Sequence, residues 1–467
     1  MRRIMEDMTM LKKLKTKLTG FFSLKNRINL CPKHKWVLVG LAVLLSIPTV
    51  SVIAAEKVEI TWWHAMSGSR LKVVDAIVES FNATHPDIEL KPLFTGTYAE
   101  TLTKFIASYR TGTAPNLIQV YEVGTQTMID SEAILPVYQI PGMLGEAWDW
   151  AQYVIPITNY YSVEGNLWSM PFNSSSAMLY YNKDIFRAAG LDPNKPPTTW
   201  KEMEEYGEQI LASGVVDHVY SGGWPGWIWE QTLGYHNHLY ADNDNGHAGL
   251  AKKVVFNDDF GHMVFETWIR LHDKGIYIYG GPEYAANSAF KAGRIAMLIQ
   301  STSSLAGILK ASEFEVGTSF LPRFEGYPIG NSLVGGGSLW VTKGKSEEEV
   351  RAVWEFLKYL GQTEIAIQWH KGTGYFPVTN AALKALLDEG WFSNQTYLTA
   401  FLEILSGRRD TAAATGARLG PFVAMREHFR AALEKAIAGD LSPKEALDEA
   451  AQKMNQLLKD YAELYGG

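Results

Sequence analysis

Cysteine is nearly missing from this 467-residue chain, with a single example at Cys31. It stands ahead of an apolar run from Trp36 to Ala55, and nothing after that run carries a thiol. Disulfides and cysteine chemistry are therefore excluded from the body of the protein. Phosphate-binding glycine loops are absent as well. Neither GxGxxG nor GxxxxGK[ST] occurs, so nucleotide binding finds no support. The zinc-protease HExxH and the hydrolase GxSxG are missing too, as is any paired carboxylate motif of the kind a glycosidase needs. His236 and His238 form the only close histidine pair, in a Tyr/Asn-rich stretch where a structural role is expected. No metal or cofactor is implied.

Basic surplus is confined to the start of the chain. Lys12 to Lys35 is rich in lysine, the apolar run follows, and Ala54-Ala55 closes it, which is the layout of a secretory signal. Residues 1–55 are accordingly expected to be a signal peptide cleaved near Ala55. Some 20 apolar residues also suffice for an uncleaved anchor, although Pro48 and the terminal alanines favour cleavage. Cys31 precedes the apolar run, whereas a lipoprotein cysteine follows one, so no lipid anchor is expected. This segment holds 10 of the 43 Lys/Arg and 2 of the 50 Asp/Glu, leaving 33 against 48 and a formal charge of −15. Such an acidic body argues against nucleic acid and against anionic membranes. At 412 residues it suggests two domains.

The body opens with alternating units. Residues 58–63 read as a strand, 70–82 as a helix with Leu71, Val74, Ile77, Val78 and Phe81 on one face, and 88–94 as a second strand. A helix over 98–109 and a strand over 116–121 complete a β-α-β-α-β order, which implies parallel strands and an α/β layer fold. Ligands in such sheets sit beyond the carboxyl ends of the strands, where Tyr98 and Glu122 fall. Glu122 suits either an acceptor for ligand hydroxyls or a plain helix N-terminal carboxylate.

Further along, residues 171–176 carry three serines before a strand at 177–181, readable as an anion holder or as a turn. Helices are expected over 200–213 and 258–274, with a surface loop at 241–246. A strand at 293–299 runs into Gln300-Ser-Thr-Ser-Ser304 and a helix from Leu305, placing hydroxyls at a helix N-terminus. Gly335-Gly-Gly337 precedes another strand and lets backbone approach a ligand. Helices at 346–361, 363–370 and 442–464 follow, and Arg426 opens another.

The most unusual stretch is Gly222-Gly-Trp-Pro-Gly-Trp-Ile-Trp229, with three indoles and three glycines in eight residues. It reads as a loop, or a loop entering a helix. Flat rings on such a turn suit the C–H face of a polyol or sugar. They equally suit a hydrophobic plug between subdomains.

Taken together, these strings carry a resemblance. WWHAMSG at 62–68, YRTGTAPNLIQVYEVGTQTM at 109–128, PFNSSSAMLYYNKDIFRAAGLDP at 171–193 and GWPGWIWE at 223–230 are accompanied by VGGGSLWV at 334–341, WHKGTGYFPVT at 369–379 and ARLG at 417–420. Over nearly the whole body the chain resembles the periplasmic sn-glycerol-3-phosphate-binding components of ABC-type importers, within extracellular solute-binding protein family 1. The resemblance implies an α/β, two-lobed periplasmic binding protein fold of type II, a clamshell with hinge crossovers. Its lobes are expected at 56–167 plus about 301–350, and at 168–300 plus about 351–467. It also implies ligand contacts at Tyr98, Glu122, Ser175, Trp224, Trp227, Ser301, Gly336, Tyr375 and Arg426. In that expectation Arg426 offers its fork to a phosphate and Glu122, which would repel phosphate, sits at the opposite end on the glycerol hydroxyls. The implied partners are a small phosphate ester and the membrane permease of the importer, with the protein itself a monomer in the periplasm. A glycerophosphodiester, another polyol phosphate or polyol, or an oligosaccharide is the alternative ligand, and a secreted hydrolase the alternative class.

Overall fold

Three parallel strands at the start of the body follow directly from its alternating units. In this computed structural model, which describes residues 57–405 and 411–465, Val58–His64 pairs in parallel with Ile88–Phe94 on one side and with Leu117–Tyr121 on the other. The expected leader 1–55, with Cys31, lies outside the described residues. The intervening helices Ser69–Thr84 and Tyr98–Arg110 bury the faces their periodicity predicts: Val74, Ile77, Val78 and Phe81 in the first, Leu102 and Phe105 in the second. Thr97 starts the second helix through a capping box with Glu100, satisfying two otherwise orphaned amides.

The same sheet is completed from far along the chain. Gly335–Thr342 runs antiparallel to Leu117–Tyr121, and Met170–Ser175 and Ile134–Leu135 pair with it in turn. A second sheet has the order Val316–Ser319, Ala177–Asn182, Met297–Ser301, Tyr220–Gly222. Only Ser176 separates the last residue of one sheet from the first of the other. The return passage runs between Ser319 and Gly335, and the two passages touch, since the Ser176 hydroxyl donates to the Leu333 carbonyl at 3.0 Å. One apolar cluster lies against the first sheet, and another joins Ile118, Val120 and Trp340 of the first sheet to Leu179 and Ile299 of the second. Helices Glu347–Leu360 and Thr363–Thr373 contribute Trp354, Phe356 and Trp369 to the first. Phe422–Ala438 and Pro443–Tyr465 pack on Asp259–Asp273 beside the second.

Several local readings change. The serine stretch at 171–176 is a fully buried strand end, not a turn. The glycines 335–337 lie inside their strand and not ahead of it. The strand expected at 293–299 begins at Met297 and reaches Ser301. Residues 241–246 form a tight turn with Asn243, Asp244 and Asn245 all in the left-handed region. Asn245 is buried there, its side-chain oxygen accepting from the Tyr240 and Ala241 amides. The His236–His238 pair holds structure together. His236 is buried, accepts from the Phe324 amide through Nε2 and meets the Pro328 carbonyl with Nδ1.

Candidate functional site

The passage between the sheets opens a cleft of about 360 Å³, and all nine expected residues line it, joined by Tyr121 and Tyr284. They arrive from both sheets. Ser175 and Gly336 are paired strand ends of the first, with Gly336 opposite Ser174 and Gly335 opposite Ser175. Ser301 ends a strand of the second and caps the short helical turn after it, accepting from the Ser303 amide.

The glycines explain how strand and indole come so close. A Cβ on Gly335 would lie 2.5 Å from the Trp227 ring, and one on Gly336, whose φ is +99°, would lie 1.8 Å from the Asn173 carbonyl oxygen. No other residue fits either position. The tryptophan stretch divides between both of its readings. It enters a helix, Pro225–Tyr235, whose N-cap Trp224 holds a left-handed φ of 52°. Bulky residues are rarely found there, and such strain collects at functional sites. Trp224 and Trp227 face the cleft. Trp229, fully buried and stacked on Phe429 at 4.9 Å, is core.

One end of the cleft is ionic. Arg426 donates through Nε and Nη2 to Glu230 at 2.7 and 2.8 Å, and through Nη2 to Glu122 at 2.6 Å. All three are buried, with only 11% of the Arg426 side chain exposed. Burial works against the guanidinium's charge, but Glu230 and Glu122 outweigh it and hold its pKa well above the ordinary value. Burial pushes the Glu230 carboxyl up, against the pull of Arg426. This corrects the expected arrangement. Arg426 and Glu122 do not stand at opposite ends, because the arginine's fork is already engaged by Glu230. Gly226 permits the approach, since a Cβ there would sit 3.2 Å from Arg426 Cγ.

The other end is neutral and rich in hydroxyls. Tyr98 stacks on Tyr121 at 5.2 Å, is hydrogen-bonded with the Asn173 amide at 2.8 Å, and lies 3.4 Å from the Tyr375 hydroxyl. Tyr375 stacks in turn on Trp369. Tyr284 stands edge-on to Trp224 at 5.5 Å. Burial raises the Tyr98 phenol well above its ordinary pKa and the Tyr284 phenol to about 12, so both are neutral hydrogen-bond donors. Ser175 and Ser301 complete this end.

Glu230, Tyr121, Tyr284 and Asn173 were not anticipated. Glu230 had a usable signal, since it follows Trp227 by three residues and so shares its helix face. Tyr284 had none, because it sits in an irregular stretch between two helices.

Among the described residues, no group of three or more His, Cys, Asp or Glu is placed to hold a metal ion, and no helix is long and apolar enough to cross a membrane.

A cleft at the crossing of two sheets, lined from both, defines a two-lobed solute-binding protein. The chain belongs to the bacterial extracellular solute-binding protein family, which it matches over residues 76–397. It is 36% identical over 407 residues to the sn-glycerol-3-phosphate-binding periplasmic protein UgpB of Shigella flexneri serotype 5b, spanning 86% of this chain and 93% of that protein. To the protein of the same name from Escherichia coli O1:K1 / APEC it is 35% identical over 428 residues, spanning 91% and 96%. Its fold is similar to that of UgpB from Mycobacterium tuberculosis in complex with glycerophosphocholine, with a TM-score of 0.73, 20% identity, and 86% and 98% of the two chains covered. It is similar also to the cyclic alpha-maltosyl-1,6-maltose binding protein from Arthrobacter globiformis, with a TM-score of 0.69, 24% identity, and 86% and 100% covered.

Proposed function

We propose that the protein is the substrate-capturing component of an ABC importer, binding sn-glycerol-3-phosphate in the periplasm and delivering it to a membrane permease. The observation that supports this most is the chemical polarity of the cleft, ionic at one end and hydroxyl-rich at the other, with indoles between. In this reading Glu122 accepts from the glycerol hydroxyls, Glu230 holds Arg426 from behind, and the Arg426 nitrogen they leave free donates to one of those oxygens. Trp224 and Trp227 cover the carbon skeleton. Tyr98, Tyr375, Ser175, Ser301 and the Gly336 amide donate to the phosphate, whose buried oxygens need many donors. The relatives that share over a third of its sequence carry the same ligand in their names.

The lobes are taken to be built one on each sheet, closing on the ligand as a monomer whose closed form the permease reads. A hydrolase is disfavoured by the geometry of the two carboxylates. Both accept from the Arg426 guanidinium, so neither stands free to act as nucleophile or general acid. Calorimetric titration of residues 56–467 with sn-glycerol-3-phosphate, glycerophosphocholine, glycerol and maltose tests the reading. Tight binding of the phosphate ester and none of maltose is expected. Preference for maltose would overturn it, and release of free phosphate on incubation would make the protein an enzyme.

A further inference from the structure

A buried phosphate dianion needs positive charge, and among the described residues the one guanidinium lining the cleft is already paired with two carboxylates. The helix Ser69–Thr84 supplies another cation just behind the cleft wall. Arg70 donates through Nη1 to the Tyr284 hydroxyl at 3.2 Å, and through Nη2 to the Ser303 hydroxyl at 3.1 Å and the Ser303 carbonyl at 3.3 Å. Its guanidinium carbon lies 4.9 Å from the Tyr375 ring centre and 5.2 Å from that of Tyr284. Among the described residues, none of its hydrogen bonds goes to a carboxylate.

The direction of these bonds follows from what each group can do. A guanidinium only donates, so Tyr284 and Ser303 must accept from it. Tyr284 then has its own proton to give, to the neighbouring Tyr375 hydroxyl or into the cleft that both side chains line. Ser301 Oγ and Ser303 Oγ lie 2.8 Å apart, a bond that either hydroxyl can donate, and Ser301 accepts from the Ser303 amide at 3.2 Å. When Ser303 gives its proton to Ser301, both Ser301 lone pairs are occupied and Ser301 offers its own proton to the cleft it lines. Two relays thus start at one cation and end in O–H donors facing the same space. Hydrogen bonds polarised by a charge are stronger than neutral ones.

We infer that Arg70 is the charge-bearing positioning residue of the anionic end, orienting Tyr284 and Ser301 toward a phosphate group and supplying the positive charge that Arg426 does not. This rests on the reading of the cleft as a phosphate-ester site. The relay also makes a selectivity statement: a monoester carrying two negative charges gains more from Arg70 than a diester carrying one. Arg70 additionally ties the helix on the first sheet to Tyr284 and Ser303, which lie either side of the strand Met297–Ser301 of the second, so a mere latch between lobes is the rival role. A latch favours every cleft ligand alike.

Calorimetry at pH 8 on residues 56–467 separates the two, using sn-glycerol-3-phosphate and glycerophosphocholine as probes with the wild type, Arg70→Leu and Arg70→Lys. Arg70→Leu is expected to weaken the monoester by roughly 10- to 100-fold and the diester by distinctly less. Arg70→Lys, which keeps the charge, is expected to recover part of the monoester loss. Thermal melts of the free proteins verify that both variants fold. Equal weakening of the two ligands would leave only a latch and overturn the inference, as would wild-type affinity for the monoester in Arg70→Leu. If the diester does not bind at all, the contrast between Leu and Lys on the monoester decides alone. If the wild type binds maltose and neither phosphate ester, the reading of the cleft falls first and the role of Arg70 with it.

Discussion

Arg426 illustrates how a residue's partners decide its role more firmly than its type. A free guanidinium in a cleft would bind phosphate, yet this one is held by Glu122 and Glu230 at hydrogen-bonding distance. Removing one member of a buried ion pair leaves charge without compensation. Arg426→Ala is therefore expected to lower stability by about 3–5 kcal/mol, measured as a fall in the urea midpoint without ligand; an unmoved midpoint would contradict the buried pairing. Trp224 and Trp227 should part company on mutation. Trp227→Ala removes an indole packed over Gly335 and should weaken ligand binding by at least about tenfold. Trp224→Gly releases a left-handed strain of about 1–3 kcal/mol against the roughly 1 kcal/mol that glycine loses in backbone entropy. Its melting temperature should stay at or above the wild-type value while its affinity falls. A large drop in melting temperature would argue that Trp224 serves packing and not the ligand.

Among the elements, helices obeyed their periodicity and caps, while the short strands of the crossing did not announce themselves. The helix 200–213 was legible to the residue because Thr199 and Glu202 form a capping box before a regular apolar face, and Gly214 ends it in the left-handed region. Met170–Ser175 looked like a turn because it ends in serines, yet all six residues are buried between neighbouring segments. Its backbone pairs with Gly335–Thr342, a strand from far along the chain, a circumstance that no local pattern encodes. Gly336 belongs to the same crossing. Gly336→Ala combines a positive φ with overlap against the Asn173 carbonyl, so it should destabilise by at least about 2 kcal/mol, read from chemical denaturation. A neutral effect would mean that the strand can shift away from Asn173.

For the molecule as a whole, ligand and proton each bias the folded state. A ligand present at 100 times its Kd should add about 2.7 kcal/mol of stability, visible as a concentration-dependent rise in melting temperature with sn-glycerol-3-phosphate and none with maltose. Protons should act through three histidines. Burial lowers His64, His236 and His370 to about 4, against about 6.5 in an unfolded chain. Between those values the unfolded state binds more protons, so stability rises with pH through that window and is fully present above it. Each histidine contributes a slope of about 1.4 kcal/mol per pH unit there. Melting temperature should accordingly fall as pH drops from 7 to 4.5, and a flat profile would show that these imidazoles are hydrated.

The order of apolar and polar residues along the chain was enough to specify the parallel strands 58–64, 88–94 and 117–121 and the helices between them. These properties are local, set by periods of two and 3.6 residues and by which side chains exist at all. The composition of the cleft was legible only as shared strings, and those did identify residues that lie around one cavity. The pairing of Arg426 with Glu230 and Glu122, and of Arg70 with Tyr284 and Ser303, depended on segments hundreds of residues apart meeting at a sheet crossing. Electrostatics acts through distance in space, so which carboxylate holds which guanidinium, and which cation remains for a ligand, was settled when the chain folded back on itself.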